Sequence, residues 1–142
     1  MITTESNRKL IEGIFAQLAD NNSQPFVDAL ADDVRWTTPG QSVWSRSFTS
    51  KQAVLNELLI PFREQLVERV RLTVQRILAD GDHVVVEAKG RATTKAGKPY
   101  NNEYCFLYRI AGGKIVEVTE YLDTELASAV LQRPSAAPPA RA

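Results

Sequence analysis

The chain has little of what would tie it to a metal, a disulfide framework, a membrane or a nucleic acid. Cys105 is its one cysteine and His83 its one histidine. A single thiol cannot form an internal disulfide, and a cysteine-rich metal site is excluded. No apolar run approaches the roughly 20 residues that cross a bilayer. The opening MITTESNRK lacks the apolar stretch of a secretory signal, so a cytoplasmic location is the expectation. Neither sign of charge dominates: 17 basic residues face 17 acidic ones. A chain with no net charge lacks the basic footprint that nucleic acid or an anionic membrane surface requires. Repeats of solenoid length are absent.

What is present is an ordinary complement of apolar residues, 44% of 142, enough for one domain with one core. From Thr4 to Asp20 the residues Leu10, Ile11, Ile14, Phe15 and Leu18 recur at helical spacing, with Thr4 as a candidate N-cap. Ser23 and Pro25 predict the start of a second, shorter helix. Asp33–Thr38 reads as a short strand ended by Pro39-Gly40, and a polar loop containing Trp44 follows. Ser50 predicts the cap of a third helix carrying Val54, Leu55, Leu58, Leu59 and Phe62. Pro61 should kink or end it.

After Glu68 the pattern changes to alternation. Val70, Leu72 and Val74 face one way, and the adjacent apolar pair Ile77-Leu78 predicts a bulge or change of face. Strands are predicted at about His83–Thr94, Tyr100–Ile110 and Lys114–Leu122. Their links, Asp80-Gly81-Asp82, Ala96–Pro99 and Ala111-Gly112-Gly113, are short enough to force antiparallel neighbours. Asp123 is placed to cap a last helix reaching about Gln132. A domain over residues 1–131 is therefore expected, with residues 132–142 a disordered tail. Helices first and strands afterwards define an α+β class, with helices on one face of a bent sheet.

The last strand carries the clearest chemical feature. Val116, Val118, Glu120 and Leu122 form one face, and Ile115, Glu117, Thr119 and Tyr121 the other. The first face is apolar apart from Glu120, which predicts that this carboxylate turns inward. Desolvation there would raise its pKa and suit it to proton transfer. The bland readings are an interior glutamate held by a basic or hydroxyl partner, or a hydrated one at a pocket rim. Trp36, Trp44, Tyr104 and Phe106 are candidate pocket walls, with core packing as the alternative for each except Trp44, whose place in a polar loop points to a ligand or an interface. Asn102 shares the face of Tyr104, Phe106 and Tyr108. His83, at a hairpin tip, is expected exposed, and Cys105 a buried inert thiol. Gly112-Gly113 lacks the following helix that phosphate binding needs, and reads as a turn.

Two segments carry a family likeness. GKPYNNEYCFLYRIAGGKIVEVTEYLDT, Gly97 to Thr124, and more weakly WTTPGQSVW, Trp36 to Trp44, resemble the SnoaL-like branch of the superfamily that includes nuclear transport factor 2 and ketosteroid isomerase. The likeness extends from the first helix to about Leu131. It implies a cone-shaped α+β fold, a pocket between helices and sheet, and commonly a homodimer. Its members include cofactor-free isomerases, cyclases and hydrolases as well as non-catalytic binding or dimerisation modules, so fold leaves function open.

Residue by residue the likeness is uneven. Aligned with limonene epoxide hydrolase, that enzyme's base falls on Glu120, while its arginine–aspartate pair falls on Glu87 and Lys89 with charges reversed. Periodicity instead places Glu87 and Lys89 on the polar face of their strand, opposite Val84, Val86 and Ala88. The position of the ketosteroid isomerase base is Thr38, which cannot shuttle a proton near neutral pH. SnoaL-type cyclases use an acid near the end of the last strand, a role open to Glu120 or Asp123. For Asp123 the alternative is a helix cap. The expected ligand is a small, largely apolar organic molecule, bound without metal or cofactor.

Overall fold

The alternating stretches downstream of residue 70 form a long antiparallel meander, and the helical ones upstream cover it. The computed structural model describes residues 2–132; the predicted tail, apart from Gln132, lies outside the described residues. In chain order the elements are α1 (Ile2–Ala19), α2 (Gln24–Ala29), β1 (Leu30–Thr37), β2 (Ser47–Phe48) and α3 (Lys51–Ala53). A π-helical stretch (Val54–Leu59), α4 (Ile60–Glu64), β3 (Arg71–Asp80), β4 (His83–Arg91), β5 (Glu103–Ala111), β6 (Lys114–Leu122) and α5 (Thr124–Val130) follow. The six strands make one curved, unclosed sheet in the order β2-β1-β6-β5-β4-β3.

Strands β3 to β6 pair antiparallel with their sequence neighbours. Between β5 and β6 the two-residue turn is Gly112-Gly113, with φ of 58° and 76°. A type I′ hairpin turn needs positive φ at both central residues, which is why glycines stand there. β1 then runs parallel to β6, a pairing that no short link could announce. The two-residue β2 is an edge strand beyond the predicted elements.

Two bulges set which residues face inward. In β6 the register steps between Arg109↔Glu117 and Ile110↔Ile115, leaving Val116 as the extra residue. Strict alternation placed Ile115 outside; the bulge turns it inward, fully buried, while Val118 keeps its place. In β3 the step leaves Gln75 unpaired, two residues before the apolar doublet. Ile77 then packs against the core and Leu78 stands on the outer face, 56% exposed.

Pro61 neither ends nor sharply breaks its helix. It lacks an N–H, and its ring would crowd the carbonyl four residues back. The chain widens ahead of it: Ile60 N–H reaches the Leu55 carbonyl five residues away, and regular helix resumes through Glu64. Ser50 caps α3 as predicted, its Oγ accepting from Ala53 N–H at 3.0 Å. Thr4 does not cap α1. It lies inside the helix, and its Oγ1 accepts from Gly81 N–H at 2.9 Å, while Asn7 Nδ2 donates to the Gly81 carbonyl. These two bonds tie α1 to the β3–β4 turn.

The core lies between α1 and the inner sheet face. Ile11, Ile14 and Phe15 meet Val84, Val86 and Ile110 there. Phe15 touches the rings of Phe106 and Tyr108 at 6.2 and 6.3 Å. Each such side chain contributes on the order of 1.5–3 kcal/mol through burial. Gly90 is a glycine for want of room: a Cβ there would stand 2.9 Å from the Tyr104 ring.

Candidate functional site

The packing between helices and sheet is incomplete, and it leaves a partly open cavity of about 310 Å³. Phe15 and Leu18 of α1, Phe26 and Val27 of α2, the π-helical stretch and α4, and Ala127 and Leu131 from the C-terminal end line it against the sheet. Trp36, Trp44, Tyr104, Phe106 and Tyr108 supply aromatic wall. Tyr104 and Phe106 stack nearly parallel, with centroids 5.2 Å apart. Both tryptophans are buried; Trp44, although it sits in a polar loop, is 5% exposed.

Glu120 is the one carboxylate among the lining residues. It stands opposite Phe106 across the sheet and follows Val118 on the inner face. Its Oε1 accepts from Trp36 Nε1 at 3.3 Å and from Thr38 Oγ1 at 3.1 Å. The parallel pairing of β1 with β6 sets Thr37 beside Thr119, bringing the inward side chains of Trp36 and Thr38 to Glu120. Burial pushes the Glu120 pKa above its ordinary 4.5, and the two hydrogen bonds offset part of that rise. No guanidinium or ammonium contributes to the shift.

Three phenols feel this charge. Burial raises Tyr100 to about 12, and it raises Tyr104 and Tyr108 as well; the Glu120 charge adds to each. All three are neutral O–H groups at physiological pH. Asn102 Nδ2 donates to the Tyr100 hydroxyl at 2.9 Å.

The remaining sequence candidates lie elsewhere. Asn102 does not line the cavity. Its amide makes four hydrogen bonds, to the Tyr100 hydroxyl, Glu103 N–H, and both the N–H and carbonyl of Asp123, so its capacity is used in clamping β5 to the end of β6. The Asp123 side chain accepts from Leu126 N–H at 3.1 Å and caps α5. Glu87 and Lys89 are on the outer face of β4, opposite the buried Val84, Val86 and Ala88, and outside the cavity. Glu87 pairs there with Arg76 at 3.0 Å. Cys105 shares that face and is half-buried rather than buried. His83 is exposed at its turn beside Asp82.

Alternation alone did not reveal Thr38 as a donor, Tyr100 as a cavity phenol, or Arg63 and Arg69 as the cationic lining residues. Tyr100 falls in an irregular segment between β4 and β5. Thr38 and Glu120 are brought together by a parallel pairing of distant segments. Among the described residues no cluster of three His, Cys, Asp or Glu could hold a metal ion, and no helix is long and apolar enough to cross a membrane.

A curved sheet half-wrapped by N-terminal helices around an apolar cavity defines the NTF2-like class of α+β proteins. Solved structures share the arrangement. An NTF2-like protein from Burkholderia thailandensis superposes with a TM-score of 0.76 at 16% identity, covering 89% of this chain and 97% of that one. A putative SnoaL-like polyketide cyclase from Jannaschia gives 0.74 at 16% identity, with 96% of each chain covered. An LEH-like epoxide hydrolase from Mycobacterium tuberculosis gives 0.67 at 19%, with 86% of each. At these identities the likeness is one of fold. No curated protein sequence matches the chain. The model of the SnoaL-like domain matches residues 11–118, and the chain belongs to that family.

Proposed function

We propose that the protein binds a small, largely apolar organic molecule in the cavity and acts on it through Glu120 without a cofactor. The observation that carries this reading is a single carboxylate set in an apolar, aromatic-walled space, raised in pKa by burial. About 300 Å³ is at the small end of the range of ligand sites. A desolvated carboxylate is a stronger base than a hydrated one, and its pKa moves toward the operating pH, where general-base catalysis is most effective. The donors Trp36 and Thr38 keep the ionised form accessible. Both bind Oε1, so neither hydrogen bond occupies Oε2.

The chemistry that fits is removal of a carbon-bound proton beside a carbonyl, the first step of an isomerisation or a cyclisation. The Tyr100 hydroxyl accepts from Asn102 Nδ2, and its own proton is the donor that would stabilise a developing enolate oxygen. Epoxide opening through the hydrolase's own residue set fits less well. The positions aligned with the hydrolase pair, Glu87 and Lys89, are on the far face of the sheet.

Thermal-shift screening of apolar ketones and phenols identifies binders, since a ligand of the folded state raises apparent stability. Glu120→Gln should then lower turnover of a binder by orders of magnitude while leaving its affinity nearly unchanged. Binding without turnover in the wild type, with affinity lost in Glu120→Gln, would assign the residue a receptor role.

The homodimer expected for the family is supported by the outer sheet face. Leu78 and Tyr121 are 56% and 50% exposed there, beside the half-buried Val85 and Leu107. A second copy covering this face would be seen by sedimentation at micromolar concentration and lost in Leu78→Glu. Only monomer in the wild type removes this part of the proposal.

A further inference from the structure

We propose that a second cleft, separate from the acid, is an oxyanion site built from Arg69, Arg71 and Arg91. These three residues line a space of about 330 Å³ together with Val67, Glu68 and Asn101, among others. Arg71 and Arg91 are direct cross-strand partners of β3 and β4. Like charges placed opposite one another in a sheet repel, so the arrangement weakens the pairing unless an anion sits between them. Among the described residues none of the three arginines is in an ion pair. Glu68, the one carboxylate of the cleft, is exposed and pairs with none of them.

Arg69 adds a second observation. Its Nη1 is buried with no hydrogen-bond partner. A guanidinium N–H deprived of both water and acceptor is costly, and an anion drawn to this guanidinium would offset that cost. The surrounding backbone is fixed rather than loose. Val67 N–H donates to the Thr93 carbonyl at 2.9 Å, Tyr100 N–H to the Ala92 carbonyl at 2.8 Å, and Ala92 N–H to Asn101 Oδ1 at 3.3 Å. Planar, permanently charged forks on a rigid frame suit a carboxylate or phosphate group.

Arg69 also lines the apolar cavity. The oxyanion is therefore either the charged end of the cavity's own ligand or a free anion, and the two sources are separable. Inorganic phosphate is titrated at constant ionic strength, with chloride as reference, into the wild type and an Arg71→Gln/Arg91→Gln variant. Phosphate should raise the Tm of the wild type and not of the variant, which should itself be no less stable than the wild type in chloride. Affinities for 2-naphthoate and the uncharged 2-naphthamide are then compared in the wild type and Arg69→Gln. An anionic end group predicts about a tenfold preference for naphthoate that Arg69→Gln removes. A free-anion site predicts phosphate binding with no such preference. The site is overturned if phosphate acts equally on wild type and double variant and naphthoate shows no arginine-dependent preference. Naphthamide binding reports on the apolar cavity alone, so failure of the cavity reading is distinguishable from failure of the anion site.

Discussion

Glu117 and Glu120 stand three residues apart on β6, and their pKa values move in opposite directions. Glu117 is on the outer face, hydrogen-bonded by Arg109 Nε at 3.0 Å, and that bond holds its carboxyl below the ordinary range. Glu120 is on the inner face, where it has two neutral donors and no cation, and burial raises it. The side of a sheet on which a carboxylate falls thus decides whether an ion pair lowers its pKa or burial raises it. The consequences for stability are opposite in sign. Glu117, lowered on folding, contributes stability above its unfolded pKa, and the contribution is lost as pH falls through the folded value. Glu120, raised on folding, costs nothing while protonated. Its penalty grows as pH climbs from about 4.5 and is complete above its folded pKa.

The sharpest test of this contrast replaces each acid in turn. Glu120→Gln should lower turnover about 10²- to 10⁴-fold, the usual contribution of a positioned general base. Glu117→Gln should leave it unchanged. Thermal unfolding across pH should show Glu120→Gln gaining stability relative to the wild type as pH rises above the carboxylate range. A gain at low pH instead would break the assignment of Glu120 as the desolvated acid.

Packing gives the next largest effect. Phe106→Ala, beneath Glu120 on the inner face, should cost about 3–5 kcal/mol in denaturant unfolding. A smaller change at Leu107→Ala, on the outer face of the same strand, would confirm that the main core is on the inner face. Asp123→Ala should cost about 1 kcal/mol through loss of the α5 cap, and Asp123→Asn should restore it. If instead both variants abolish turnover, Asp123 belongs to the chemistry and Glu120 does not act alone. Thr38→Val removes one donor to the Glu120 carboxylate, an effect on the order of 1 kcal/mol. Since that bond favours the charged form, its loss should move the acidic limb of the pH–rate profile to higher pH.

Much of the architecture was legible because it depends on local signals. Gly112-Gly113, the Ser50 and Asp123 caps, and alternation in β4 and β5 each determine their own neighbourhood. The inward turn of Glu120 was also readable, since it lies downstream of the bulge, where alternation holds. Ile115, upstream of it, was misplaced for the same reason. What could not be read depends on segments meeting at long range. The parallel pairing of β1 with β6 brings Thr38 to Glu120 across 82 positions. Asn102 shares a strand face with cavity aromatics, yet its amide is used by Asp123 backbone groups 21 residues away. Residue type and spacing carry no trace of such meetings.

The extra residue at Val116 also bears on how this chain can drift over generations. Deleting it would restore ordinary pairing between Ile110↔Ile115 and Arg109↔Glu117 while leaving Ile115, Val118 and Glu120 directed as they are. The strand would lose its local bend but not its acid. Loss of one codon at this point would therefore reshape the hollow and spare the inward turn of Glu120, whereas loss of one between Glu117 and Glu120 would send the carboxylate out into water. The bulge makes the form of the cavity and the placing of its carboxylate separately heritable.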